Sequence, residues 1–233
     1  MAPWASHHLG MRLRRALLGS PVVLAVLVVA CNGSNGAESP IATSSPSLPA
    51  ASQLELVTTV QVGAKPWALA LNSTTNRLYV ANEAAASVAV IDAASSEVTA
   101  TIPVGDGPVA LAIDPEANRI YVANGSGNTV SVIDGAKDEV VATVPTGGQP
   151  FNMAIDRVAN RIYVTNTEGG SLTVIDGKTN EVVATIPTGQ GPWALDLDPG
   201  TNLLYVANGF DNTIAVVDGA SGNVVRSFMA SRR

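Results

Sequence analysis

"NRIYVANGSGNTVSVIDG" occupies Asn118–Gly135, and "NRIYVTNTEGGSLTVIDG" occupies Asn160–Gly177, 42 residues further on. The same core starts four times, as "YVAN" at Tyr79, Tyr121 and Tyr205 and as "YVTN" at Tyr163. Gly63, Gly105, Gly147 and Gly189 keep that step, as do Pro66, Pro108, Pro150 and Pro192, and Asp92, Asp134, Asp176 and Asp218. A strict period of this length marks one supersecondary unit, repeated and stacked, because a single unit cannot bury its own apolar face.

Within the second repeat, four short β-like runs are separated by turn residues: "VALAID" (Val109–Asp114), "NRIYVAN" (Asn118–Asn124), "TVSVID" (Thr129–Asp134) and "EVVATVP" (Glu139–Pro145). No run has the length or the period of an amphipathic helix. Four strands in ~42 residues is the arithmetic of a propeller blade. In "RIYVAN" both faces are apolar or small, as suits a strand pressed between neighbouring blades; a strand with one wet face would alternate. Charged residues make up only 14% of the chain, against a usual ~25%, which fits many strands buried on both sides.

The four "YV(A/T)N" cores, each followed by "(I/V)D" and then by "(I/V)P(V/T)G" or its remnant, resemble the YVTN-family β-propeller repeat over about residues 54–229. The Gly-His and Trp-Asp pairs of WD40 blades and the Gly-Gly of kelch blades are absent. The resemblance implies an all-β fold, a β-propeller of four-stranded antiparallel blades, in the setting of bacterial and archaeal surface and exported proteins. It implies no single activity. The blades are expected at about 64–103, 106–145, 148–187 and 190–229, after a leading strand at 54–63.

Propellers have about 4 to 8 blades. This chain has four repeats plus a surplus leading strand, "LELVTTVQVG", which matches the fourth strand of each repeat. After Phe228 the motif collapses, with "FMASRR" in place of "IPTG". An incomplete, open ring is the expectation; closure of four blades around a redundant strand, or pairing of two chains, are the alternatives. Open blade edges and faces favour self-association.

The N-terminus reads as an address. "MRLRRALLGSPVVLAVLVVAC" sets arginines before an apolar run, Ala16–Ala30, of secretory length and too short to cross a bilayer comfortably. Its end, "VVAC", resembles a bacterial lipobox, in which the cysteine thiol receives a diacylglycerol and becomes the first mature residue. Cys31 is the only cysteine, so an exported chain has no disulfide to make with it. Residues 1–30 are therefore expected to be a lipoprotein signal peptide, and Cys31 the lipidation site. Residues 31–53 are rich in Ser, Pro and Ala and lack aromatics. They cannot repay their ordering entropy and read as a flexible tether. The expected location is outside the cytoplasm, anchored to the bacterial membrane by lipid.

Loss of residues 1–30 removes Arg12, Arg14 and Arg15 and leaves ten basic against nineteen acidic side chains, a net charge of −9. Such a surface repels nucleic acid and anionic membrane, so neither is a default partner. Both histidines, His7 and His8, lie in the same segment. With no histidine and no cysteine beyond Cys31, the mature chain lacks His-ligated haem, His or Cys zinc and copper sites, Ser-His-Asp triads and Cys nucleophiles. No cofactor or metal is expected. The recurrent Asp92, Asp134, Asp176 and Asp218 read as turn formers, three of them as Asp-Gly hairpins, since catalysis rarely needs one residue four times. Asn82, Asn124, Asn166 and Asn208 are expected to bond their own loops.

What differs between repeats lies in two loop sets, "GAKPW", "GDGPV", "GGQPF", "GQGPW" and "NEAAAS", "NGSGNT", "NTEGGS", "NGFDNT". In a blade both sets emerge on one face. That face would present Lys65, Glu83, Asp106, Gln149, Glu168, Gln190, Phe210 and Asp211, with Trp67, Phe151 and Trp193 beside it at equivalent positions. The aromatics could stack on a sugar or peptide; the reading favoured from sequence is that they plug the inner wall as core. These observations point to a non-catalytic binding or scaffolding module for a protein, peptide or glycan, the rival being an enzyme whose active site occupies the same face.

Overall fold

The computed structural model describes residues 57–229. The segments expected to be a signal peptide and a tether, and with them Cys31, lie outside the described residues. Leu54–Arg233 forms one compact unit. Among the described residues there are sixteen strands and no helix. Blade 1 consists of β1 (Pro66–Asn72), β2 (Arg77–Asn82), β3 (Ser87–Asp92) and β4 (Glu97–Pro103). Blade 2 consists of β5 (Pro108–Asp114), β6 (Arg119–Asn124), β7 (Thr129–Asp134) and β8 (Glu139–Pro145). Blade 3 has β9 (Pro150–Asp156), β10 (Arg161–Asn166), β11 (Ser171–Asp176) and β12 (Val182–Pro187). Blade 4 has β13 (Pro192–Asp198), β14 (Leu203–Asn208), β15 (Thr213–Asp218) and β16 (Val224–Met229). Each blade is an antiparallel meander in chain order, and the first strands lie side by side, β1 by β5 by β9 by β13. The architecture is a propeller that does not close.

The core is the set of junctions between blades. At the first junction Tyr79, Val88, Val90 and Ile102 of blade 1 meet Ile120, Val122 and Ile133 of blade 2. One repeat on, Tyr121, Val130, Val132 and Val144 meet Ile162, Val164 and Ile175. At the third, Tyr163, Leu172, Val174 and Ile186 meet Leu204, Val206 and Val217. Tyr79, Tyr121 and Tyr163 are at most 2% exposed, whereas Tyr205 is 42% exposed. The same motif is buried three times and open once because no blade covers the far side of blade 4 among the described residues.

The leading strand is a correction. Residues 57–62 pair with no strand, yet Val60 and Val62 pack on Leu78, Val80, Ala89 and Ile91 of blade 1. Among the described residues no third strand lies beside it, so the segment has no ladder to join.

The Asp-Gly turns also differ from the simple hairpin reading. The residue with left-handed backbone is the fourth after the aspartate, Ser96, Asp138, Asn180 or Gly222, and not the glycine next to it. The aspartate acts as an acceptor: Asp176 Oδ1 takes the N–H of Lys178 (2.9 Å) and of Thr179 (3.1 Å), and Asp218 Oδ1 takes those of Ala220 (2.8 Å) and Ser221 (2.9 Å). These backbone donors hold the carboxyls of Asp92, Asp134, Asp176 and Asp218 below the usual carboxylate range.

Candidate binding face

The site begins with the recurrent glycine and asparagine. A Cβ on Gly147 would lie 2.8 Å from Asn166 Cγ, and Gly63, Gly105 and Gly189 sit as tightly against Asn82, Asn124 and Asn208. Only glycine lets the incoming loop lie flat on the buried amide. Each asparagine also reaches across its own loop: Asn166 Nδ2 donates to Ser171 Oγ (3.1 Å) and Thr173 Oγ1 (2.9 Å). The asparagines therefore brace the β2–β3 type of loop, as expected from sequence.

The next residues set the exposure of the aromatics. In each blade the first strand slips register against the second, once, between the proline and the residue two further on: Pro66↔Asn82 is followed by Ala68↔Ala81, and Pro192↔Asn208 by Ala194↔Ala207. The same slip falls at Val109 and at Phe151. Trp67, Val109, Phe151 and Trp193 are thus the extra residues of four β-bulges. A bulged residue is released from the alternation of its strand and can be re-aimed. The proline before it has no N–H to lose at a strand start. Consequently Trp67 (51% exposed), Phe151 (38%) and Trp193 (48%) stand in solvent. The expectation that they form an inner plug is corrected.

The two variable loop sets do come together. Glu83 N–H donates to Lys65 O (2.9 Å), Gly125 N–H to Gly107 O (2.8 Å), Thr167 N–H to Gln149 O (2.9 Å) and Gly209 N–H to Gly191 O (2.7 Å). Gln149 N–H also reaches back to Asn128 Oδ1 in the preceding blade (2.8 Å), and Gln190 N–H is held by Asp211 Oδ2 (2.6 Å). The face is therefore a hydrogen-bonded rim rather than a set of free tips. Lys65 and Gln149 occupy left-handed backbone, φ 56 and 54, where the other two repeats have Gly107 and Gly191.

Lys65 pairs with Glu83 and lies over the Trp67 ring, 5.2 Å from its centroid. Trp67 also borders a shallow pocket of about 130 Å³ with Pro66, Ala68, Leu69 and Val80. At the other end Phe210, 62% exposed, meets Trp193 edge to face, centroids 5.4 Å apart and planes at 77°. Asp106, Gln149, Glu168, Gln190 and Asp211 are exposed on the same rim. The uniform Asp turns occupy the opposite end of the blades, where Gly135 N–H donates to Asn118 O and Gly177 N–H to Asn160 O, each at 2.9 Å. Among the described residues no group of three or more His, Cys, Asp or Glu side chains is gathered to hold a metal ion. The bulges were the part of the site that the residue pattern did not reveal; the recurring Pro-aromatic pair after a glycine was their available signal.

Residues 34–146 match the family model described as "Lactonase, 7-bladed beta-propeller", just under half of the chain. A solved structure titled Kuenenia stuttgartiensis Hydrazine Synthase is similar at 25% identity and a TM-score of 0.67, over 75% of this chain and 51% of that one. The chain spans about half the length of that structure. No curated protein shows a significant match. Both similarities are to propellers or propeller-bearing chains and agree with the fold described above.

Proposed function

We propose that this chain is an exported lipoprotein, anchored through Cys31 and a flexible tether, whose YVTN-type propeller arc serves as a non-catalytic binding or scaffolding module. The observation that carries the reading is the exposure of Trp67, Phe151 and Trp193 by one β-bulge each, at the end of the arc where the loops differ between blades. Exposed aromatics on a rigid rim offer stacking surface at low entropic cost, while Gln149, Gln190, Asp106 and Asp211 offer polar contacts. A glycan or an extended peptide fits this chemistry. The acidic mature charge argues against nucleic acid.

Intrinsic fluorescence tests the reading directly. The chain has three tryptophans; loss of residues 1–30 removes Trp4 and leaves Trp67 and Trp193, both at this face. Titration with cell-wall glycans and peptides should shift their emission, and joint replacement of Gln149, Gln190 and Phe210 by alanine should weaken that binding by several-fold or more. Binding that tracks changes around Asp134 and Asp176 instead would place recognition on the opposite face. The rival enzyme reading is prompted by the lactonase family model; ring opening of simple lactones by the purified chain, lost in the same triple variant, would favour it.

A further inference from the structure

Beyond the binding reading, and independent of it, the junctions between blades differ at one recurring pair of positions. Arg77, Arg119 and Arg161 open the second strands of their blades, and 61 residues on from each, across the junction, stand Asp138, Asn180 and Gly222. All three partners have left-handed backbone, φ 57, 58 and 70, so the turn is the same and only the side chain changes. In the first junction a carboxylate fills the space: Arg77 Nη2 donates to Asp138 Oδ2 at 2.6 Å and Nη1 to Gly135 O at 2.7 Å. The second junction has the neutral amide of Asn180 at that position. The third has no side chain there at all.

At this third junction lies an open pocket of about 190 Å³, bordered by Arg161, Tyr163, Val183, Ile186, Ser221 and Gly222. A cavity of roughly 150 Å³ already takes up benzene. Arg161 Nη1 is buried, 3.3 Å from Asp176 Oδ2, yet it makes no hydrogen bond among the described residues. A buried guanidinium N–H without an acceptor is costly, and a carboxylate is the acceptor that matches its fork. Ser221 Oγ accepts the N–H of Asn223 at 3.4 Å, which leaves its own proton to donate. The remaining wall is more apolar than in the first junction. Val183 stands where Thr99 takes Arg77 Nη2 at 3.5 Å, beside Ala184 and Ile186.

Two turn aspartates flank the pocket, Asp176 and Asp218, and each already accepts two backbone N–H groups. Lys178 adds positive charge beside Asp176. The first junction has the same kind of surroundings, with Asp92, Asp134 and Lys137, and there a carboxylate sits on the arginine. We propose that the third junction takes this group from solution: the pocket binds a small aliphatic carboxylate, its carboxyl on Arg161 as Asp138 lies on Arg77, its carbon chain against Val183, Ala184 and Ile186. The chain thus carries, in its first junction, a built-in copy of the ligand that its third junction accepts. The site belongs to the Asp-turn end of the blades, so its occupancy is a separate event from binding at the aromatic rim.

The test titrates the full chain with isovalerate, and with isovaleramide as its uncharged twin, followed by backbone amide NMR. Isovalerate should move the signals of Gly219–Gly222 saturably and leave the emission of Trp67 and Trp193 unchanged; isovaleramide should move neither. Arg161→Met should weaken binding by about tenfold or more. Gly222→Asp supplies the carboxylate from the chain itself, on a backbone that Asp138 already adopts, and should abolish binding while raising the thermal midpoint. Still signals at Gly219–Gly222, or equal binding of isovaleramide, overturn the proposal. Unchanged affinity in Gly222→Asp does the same, because the acid then sits elsewhere. A response confined to tryptophan emission would move the acid to the rim, overturning this site and leaving the rim reading intact. Tighter binding of acetyl-Ala-Ala-Val than of isovalerate would make the occupant a peptide end and overturn the free acid.

Discussion

The Tyr163 hydroxyl donates to the carbonyl of Gly219 at 3.2 Å, tying the second strand of blade 3 to the outer turn of blade 4. The ring behind it is 1% exposed and packs among Leu172, Val174, Ile186 and Leu204. Two separable contributions follow, one polar and one from packing. Tyr163→Phe should cost about 1 kcal/mol, the usual net worth of one hydrogen bond. Tyr163→Ala should cost about 3 kcal/mol or more, because the junction cannot collapse around the loss. Denaturant unfolding of the two variants checks both; equal costs would mean that the ring is not a packing element.

Ala86 adopts φ 45, in the position held by Asn128, Gly170 and Asn212 in the other repeats. An L-residue with a Cβ is strained there, and asparagine less so. Ala86→Asn should therefore raise stability by about 1 kcal/mol, read as a higher denaturant midpoint at unchanged slope. A decrease would show that the turn is held by something other than its backbone preference.

Asp92, Asp134, Asp176 and Asp218 have carboxyls held below their ordinary range by backbone N–H donors. A carboxyl whose folded value is depressed contributes its stability above the unfolded value and loses it as pH falls through the folded one. The array should thus be insensitive to these groups near neutrality and lose stability below about pH 4. Replacing all four by asparagine keeps an oxygen acceptor for the turn and should flatten that acid limb. An unchanged acid limb would assign it to other carboxylates.

Lipidation at Cys31 is checked by fractionation in a bacterium with the lipoprotein pathway. Wild type should partition with membranes, and Cys31→Ala should be released. Equal partitioning of the two would remove the anchor from the proposal.

Most of the architecture was legible because a propeller junction writes itself into the chain. A strand buried on both faces leaves an apolar run such as Ile120–Ala123, and repetition places that run in register four times. Three features were not legible, for a common reason: each depends on a second strand. The bulge at Trp67 is a slip between β1 and β2, so no single run contains it, and a tryptophan on a strand reads as core. Val60 and Val62 have the pattern of a strand but lack the partner that would complete it. Tyr205 has the motif of Tyr121, and among the described residues no blade lies above it.

Arg77 donates to Asp138 Oδ2 at 2.6 Å and to Gly135 O at 2.7 Å, across the first junction. The equivalent Arg119 and Arg161 turn instead to Asp134 and Asp176 of their own blades. Near-identical repeats can mispair during folding, each blade fitting a neighbour that is not its own. Asn180 and Gly222 occupy the places of Asp138 in the last two blades, so blade 1 set beside either would leave its arginine without a carboxylate. Among the described residues this is the one ionic pair that crosses a junction, and it gives an otherwise periodic chain an origin from which its blades are counted.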